Sequence, residues 1–297
     1  MSESATPAVI AASIELARLP DAGPFAPPLP VPSLLEARVI DNARVGSDYW
    51  RLTLDAPHMA ETAQPGQFAM LTLAVAGELA PVLPRPMALY GWDAARGTVD
   101  VVYRVVGDGT RRMTGFRGGD RMVAVGPLGR GFIIPSAARH MLLLGRGIGT
   151  CSLTALAQLA ARRGIVVDAV VSARSPDALV GTDTYRRAGA REVIEVVDTN
   201  GSSDVERVAA AVLGRCGDRF DEVYTCGSLR LLGLGATLAA ASGASVQVSL
   251  EAHMACGLGF CHGCSTGHPG LTREKPLVCA DGPVFRHTPT PSAPGAA

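Results

Sequence analysis

The spacing of hydrophobic positions changes near residue 140, and the change divides the chain. From residue 34 to about 135 the apolar residues fall in short, alternating, β-branched runs at 34–45, 49–55, 68–75, 86–92, 99–106 and 121–125. Turn words such as Gln64-Pro65-Gly66-Gln67 and Arg117-Gly118-Gly119-Asp120 separate them. Short strands at this spacing predict a small antiparallel barrel, with residues 110–116 as a helical insert. After His140 the runs at 141–144, 165–171, 192–197, 222–225 and 246–250 are apolar throughout, and they alternate with helical periods at 150–163, 204–213 and 228–241. That alternation predicts an α/β unit whose parallel sheet is covered on both faces.

Two stretches obey neither period. Residues 1–33 hold seven prolines and predict a disordered Pro-rich tail, in which 9–19 has enough apolar character for a short helix. From Glu251 on, Gly, Cys and Pro dominate, and something other than an apolar core must hold the segment together. The expected organisation is therefore multi-domain β plus α/β: a tail at 1–33, a barrel at 34–136, a nucleotide-type domain at 137–250 and a small segment at 251–297. The uncharged run 231–250 approaches the ~20 residues of a membrane span. Its Ser242-Gly243-Ala244-Ser245 turn splits it into a helix and a strand of buried core.

Composition narrows the function. Gly (34) and Pro (21) in 297 residues exclude a coiled coil or helical bundle. Lys+Arg and Asp+Glu balance at 27 each, so no net field draws the chain to nucleic acid or to an anionic membrane. The opening Met1-Ser2-Glu3 lacks a basic leader, which predicts a cytoplasmic protein. The seven cysteines are odd in number, and four crowd between 256 and 279, unlike a disulfide framework.

Those four give the sharpest signal. Cys256, Cys261, Cys264 and Cys279 follow C-x4-C-x2-C…C, the plant-type [2Fe-2S] ligand spacing. Gly257, Gly259 and Gly263 let backbone N–H groups approach the sulfurs. Structural zinc is the rival; it prefers two close Cys pairs, and His253, His262 or His268 would have to complete the set. Elsewhere, Arg85-Pro86-Met87-Ala88 opens a strand, and Val102-Tyr103-Arg104 ends another ahead of Gly107-Asp108-Gly109-Thr110 at a helix start. Glycines and unpaired N–H groups there suit a phosphate, which Arg85 or Arg104 would neutralise. Gly145-Arg146-Gly147-Ile148-Gly149 joins the first α/β strand to its helix, where nucleotide phosphates sit in such sheets. Cys226 ends a further strand near the same crevice and is the candidate catalytic residue.

In this order the motifs resemble the ferredoxin-reductase-like flavoproteins, specifically the electron-transfer subunits of type B dihydroorotate dehydrogenases. The likeness runs from about residue 34 to 286, and is carried also by Gly126-Pro127-Leu128-Gly129-Arg130-Gly131-Phe132, Glu251-Ala252-His253-Met254-Ala255-Cys256-Gly257 and Val278-Cys279-Ala280-Asp281-Gly282-Pro283. The resemblance implies FAD on Arg85, Pro86, Met87, Ala88, Val102, Tyr103, Arg104, Gly109 and Thr110. It implies NAD at Gly145, Gly147 and Gly149, with NADP left open by Arg174, and a [2Fe-2S] cluster on the four cysteines. It further implies an FMN-containing dihydroorotate-oxidising partner, in a heterotetramer serving pyrimidine biosynthesis. Departures stand at Ala88, where a Ser or Thr is usual, at Arg146 within an otherwise glycine loop, at Ser228, and at Asp198-Thr199-Asn200-Gly201. They keep two alternatives open: a flavin/iron–sulfur NAD(P)H reductase serving an oxygenase or other dehydrogenase, and a redox sensor without hydride exchange.

Overall fold

A computed structural model of the protein describes residues 16–18, 30–73, 83–267 and 275–287. Most of the predicted tail lies outside the described residues. Within it, Leu16–Arg18 is neither disordered nor helical but forms strand β1, and residues 30–32 lead into the barrel.

The predicted barrel is closed by β2 (Ser33–Arg44), β3 (Tyr49–Asp55), β4 (Phe68–Thr72), β5 (Arg85–Asp93), β6 (Thr98–Arg104) and β7 (Arg121–Leu128), in the order β2-β3-β6-β5-β4-β7. Every pairing is antiparallel. Period-2 alternation turns Val39, Leu52, Leu54, Leu71, Leu89, Val101 and Ala124 inward, where they are buried. Helix α1 (Pro57–Thr62), which the sequence did not signal, and α2 (Asp108–Met113) fill the connections.

The second unit follows with β8 (His140–Arg146), α3 (Gly149–Ser152), α4 (Thr154–Arg162), β9 (Val166–Ala173), α5 (Thr182–Arg187), β10 (Glu192–Val197), α6 (Val205–Cys216), β11 (Glu222–Cys226), α7 (Leu229–Ser242), β12 (Ser245–Ser249) and β13 (Val284–His287). The sheet order is β1-β13-β12-β11-β8-β9-β10. Strands β8 to β12 are parallel, as expected. The sheet as a whole is mixed, because β13 and then β1 add antiparallel to its edge. The predicted helix at 150–163 breaks at the buried Leu153 into α3 and α4. Helix α7 stops at Gly243, which takes the left-handed conformation that ends helices.

Residues 251–283 leave the sheet after β12 and re-enter it as β13, so the cysteine segment is an excursion from one sheet edge. Its core is shared three ways: Phe68, Met70 and Leu128 of the barrel wall, Val246 and Val248 of the sheet, and Cys264, Val278 and Cys279 of the segment. The connection between barrel and sheet is pinned too. Gln247 accepts from Ile133 N at 2.9 Å and donates to Ile133 O at 2.6 Å, while the Tyr224 hydroxyl donates to the same carbonyl at 2.9 Å. At the far edge of the parallel strands the fully buried Asp168 accepts from His140 Nε2 (2.7 Å, with His140 as donor) and from Arg191 Nε (3.0 Å).

Candidate functional site

The chain runs outward from β8 to β9 and β10, then returns to place β11 on β8's other side. In open α/β sheets that reversal leaves a crevice at the carboxyl ends of the two strands, where ligands bind. Here the turn 145–149 forms its floor. A Cβ on Gly149 would lie 2.7 Å from the Cys226 carbonyl carbon, so only glycine lets α3 start this close to β11.

The crevice opens into a cleft of about 460 Å³ facing the barrel. Pro86, Met87 and Ala88 from β5 and Val102, Tyr103 and Arg104 from β6 line one wall, with Thr110 from α2. Gly147 and Cys226 line the sheet side, and residues 249–254 form the third wall. Nine of the positions singled out from sequence therefore meet around one space. Gly145 and Gly149 stand behind it as packing glycines, and Arg85 stacks its guanidinium against Gly109 while donating to Leu83 O at 2.7 Å. The Thr110 hydroxyl accepts from Val106 N (2.9 Å) and Gly107 N (3.2 Å), so it holds the turn shut. Tyr103 points its phenol into the barrel toward Asn42 (3.1 Å), where burial pushes its pKa up to about 12.

Cys226 borders the cleft but is itself buried, and desolvation, with Glu251 adding repulsion, pushes its thiol up to about 12. It is a neutral, polarizable wall at neutral pH, not a thiolate. Sequence reasoning passed over Tyr49, Phe68 and Glu251 as cleft residues. Glu251 stands open to solvent along the cleft, yet the protein mass around it still raises its carboxyl pKa by desolvation. No local word marks the other two, which open β3 and β4.

Arg146 does not reach the cleft. Its guanidinium grips Asp198 through two bonds (Nη2–Oδ2 2.7 Å, Nη1–Oδ1 3.1 Å), and Nη1 also donates to Ser172 Oγ at 2.8 Å. Arg146, aided by Ser203, holds the Asp198 carboxyl down at about 2.

The cysteines stand as two pairs. The Cys261 thiol donates to Cys256, and Cys264 Sγ and Cys279 Sγ share a hydrogen bond across 3.1 Å. Burial alone would raise Cys256, but backbone N–H groups of Leu258, Cys261 and Phe260 outweigh it and bring the thiol down to about 6. Cys279 is raised to about 12, first by burial and then by Cys264, although Gly259 N–H points at it. Cys279 N donates to Cys264 Sγ at 3.4 Å. Among the described residues no three His, Cys, Asp or Glu side chains converge as ligands of one ion would. Two thiol pairs ringed by amide donors fit a binuclear cluster, which takes two thiolates per iron, better than a tetrahedral zinc. Gly257 adopts φ +71° and presses on Met70, which seats the loop against the barrel. His253 and His262 join neither pair, and His268 lies outside the described residues.

Known proteins resemble this chain in both the cysteine segment and the overall fold. The iron-sulfur cluster binding domain of dihydroorotate dehydrogenase B matches residues 251–288. The dihydroorotate dehydrogenase B (NAD(+)) electron transfer subunit of Geobacillus thermodenitrificans is 34% identical over 250 residues, covering 84% of this chain and 95% of the relative. That of Fusobacterium nucleatum is 30% identical over 253 residues, covering 84% and 95%. Among solved structures, an NADH-dependent reduced ferredoxin-NADP oxidoreductase shares the fold with a TM-score of 0.70 at 24% identity, over 85% of this chain and 88% of that one. The ferredoxin reductase of carbazole 1,9a-dioxygenase does so at 0.57 and 23%, over 72% and 67%. With close relatives matched over nearly their whole length, the chain belongs to the family of dihydroorotate dehydrogenase B electron transfer subunits.

Proposed function

We propose that this chain moves electrons between a dihydroorotate-oxidising, FMN-containing partner subunit and NAD+, in the cytoplasm and in the service of pyrimidine biosynthesis. FAD would lie in the barrel cleft against Pro86–Ala88 and Val102–Arg104, with Arg85 and Gly109 at its phosphates. The cluster would rest on Cys256, Cys261, Cys264 and Cys279, and the dinucleotide on the turn 145–149. When bound, the two groups supply the exchange between one-electron and two-electron transfer.

The observation that carries this reading is continuity. Residues 249–254 wall the cleft, and Cys256 follows two positions after Met254, so at most ~7 Å of chain separates cleft wall from cluster ligand. The chain's own residues do the placing. The Gly257 contact with Met70 fixes the cysteine loop to the barrel, and the Ile133–Gln247 pair fixes the barrel to the sheet. The buried, neutral Cys226 closes the cleft floor without offering a competing nucleophile. At Ala88 the cleft lacks a hydroxyl, so one fixed dipole near the reacting centre is missing.

The departures in the nucleotide turn, Arg146 among them, favour a second reading, a reductase that serves a different oxidoreductase. Two measurements separate them. An anaerobic visible spectrum should show flavin and [2Fe-2S] absorption together. Dihydroorotate-dependent NAD+ reduction should then require both this chain and the FMN-containing subunit. Reduction of the flavin by NADH without any coupling to dihydroorotate oxidation would leave the second reading standing and remove the first.

A further inference from the structure

Dinucleotide sites on open α/β sheets place an acidic group at the end of the second strand, where it takes the adenosine ribose 2′-hydroxyl. The second strand of this sheet, β9, closes on Ser172-Ala173-Arg174 and has none. The structure supplies a carboxylate from elsewhere. Asp198 sits just after the third strand, β10, and one nitrogen of Arg146 bridges it to Ser172 Oγ. Arg146 therefore carries an acid from β10's end to β9's end, beside the turn 145–149. Ser203 donates to the same carboxylate at 2.5 Å, on the Oδ1 that Arg146 Nη1 also reaches.

We infer that Asp198, held by Arg146, selects a nicotinamide dinucleotide with a free ribose 2′-hydroxyl over one that carries a 2′-phosphate. The inference rests on the reading that the crevice takes such a dinucleotide. If the nicotinamide half runs from Gly147 toward Cys226 and the barrel, the adenosine half leaves the turn over β9, where Asp198 is held. An ionised carboxylate accepts from a ribose hydroxyl and repels a phosphate. Arg146 fixes the carboxylate's position and offsets part of its charge, which tempers the repulsion and leaves it to widen when the guanidinium is removed. Arg230 is a further cation beside it and would favour a 2′-phosphate once the carboxylate is neutral.

Equilibrium binding of NADH and of NADPH to the purified holoprotein, by titration calorimetry, tests this on three proteins. The wild type should prefer NADH. Asp198→Asn, of nearly the same shape, should shrink that preference by at least ~10-fold, mainly through tighter NADPH binding. Arg146→Gln leaves the carboxylate without its counter-charge, so it should widen the preference. A fold defect would not move the ratio in opposite directions in the two variants. Tight NADH binding with an unmoved ratio in Asp198→Asn, or a shift of both variants the same way, would overturn the assignment alone. A wild type that binds neither nucleotide would overturn the dinucleotide reading and this inference with it.

Discussion

Gly257 offers the most demanding test of how the cysteine loop is seated. It follows the first cysteine of the motif, has φ +71°, and an added Cβ would lie 2.5 Å from Met70 Cγ and 3.3 Å from Leu128 Cδ1. Alanine there meets two separate costs. The left-handed backbone disfavours an L side chain by ~1–2 kcal/mol. Overpacking against the buried Met70 and Leu128 adds ~1–3 kcal/mol. Gly257→Ala should therefore weaken the seating by ~2–5 kcal/mol in all, seen as a lower denaturation midpoint and a loss of iron and acid-labile sulfide per chain. In a Met70→Ala background the tighter contact has gone and only that with Leu128 remains, so the same substitution should cost less, close to the backbone share of ~1–2 kcal/mol. Full iron content in Gly257→Ala, with stability within ~0.5 kcal/mol of wild type, would refute the packing argument. An equal cost in both backgrounds would remove Met70 from it.

Cys261→Ser should abolish bound iron, and elemental analysis showing full retention would contradict the ligand assignment. Arg191→Ala should destabilise by ~3–5 kcal/mol and more than Asp168→Ala, because it leaves a fully buried carboxylate without its guanidinium counter-charge, with His140 still donating to it, whereas Asp168→Ala frees a half-exposed guanidinium. Urea midpoints in the reverse order would sink that account. Burial alone would raise Asp168, but bonds from His140 and Arg191 hold its pKa below the ordinary value. Its stabilisation is thus present above the unfolded carboxylate pKa and lost as pH falls through the lowered one, so Asp168→Ala should flatten the acid limb of stability against pH. Ala88→Ser should speed anaerobic flavin bleaching by NADH severalfold in stopped flow; an unchanged or slower rate would show that the hydroxyl is not limiting. Phe260 is 84% exposed beside the cysteines, and Phe260→Asp should weaken association with the FMN-containing subunit in sedimentation or calorimetry.

What could be read from sequence was whatever repeats or sits close along the chain. The barrel strands and the five parallel strands follow from period and turn residues, and the C-x4-C-x2-C spacing needs no tertiary information. Strands β1 and β13 escaped because three or four residues carry no period, and only the neighbouring edge of β12 makes them strands. Helices α1 and α5, six residues each, are too short to show a helical stripe. Arg146 could not be interpreted from its own loop, since its partner Asp198 stands 52 positions away. The cleft's third wall was hidden for a similar reason: Glu251 and Met254 belong to the cysteine motif in sequence and to the flavin-sized space in three dimensions.

Both ends of the cysteine segment are anchored in one sheet, by β12 before it and β13 after it, with β1 on β13's far side. A chain stripped of its cluster thus keeps a tethered loop and gains no free tail. Closing a loop of roughly thirty residues costs ~3 kcal/mol in entropy, and here the fold has met that cost before any metal arrives. The four thiols consequently stay at high local concentration, near the millimolar range typical of short tethers. Reloading then draws iron and sulfide from solution but needs no second protein chain to complete the set of four thiols.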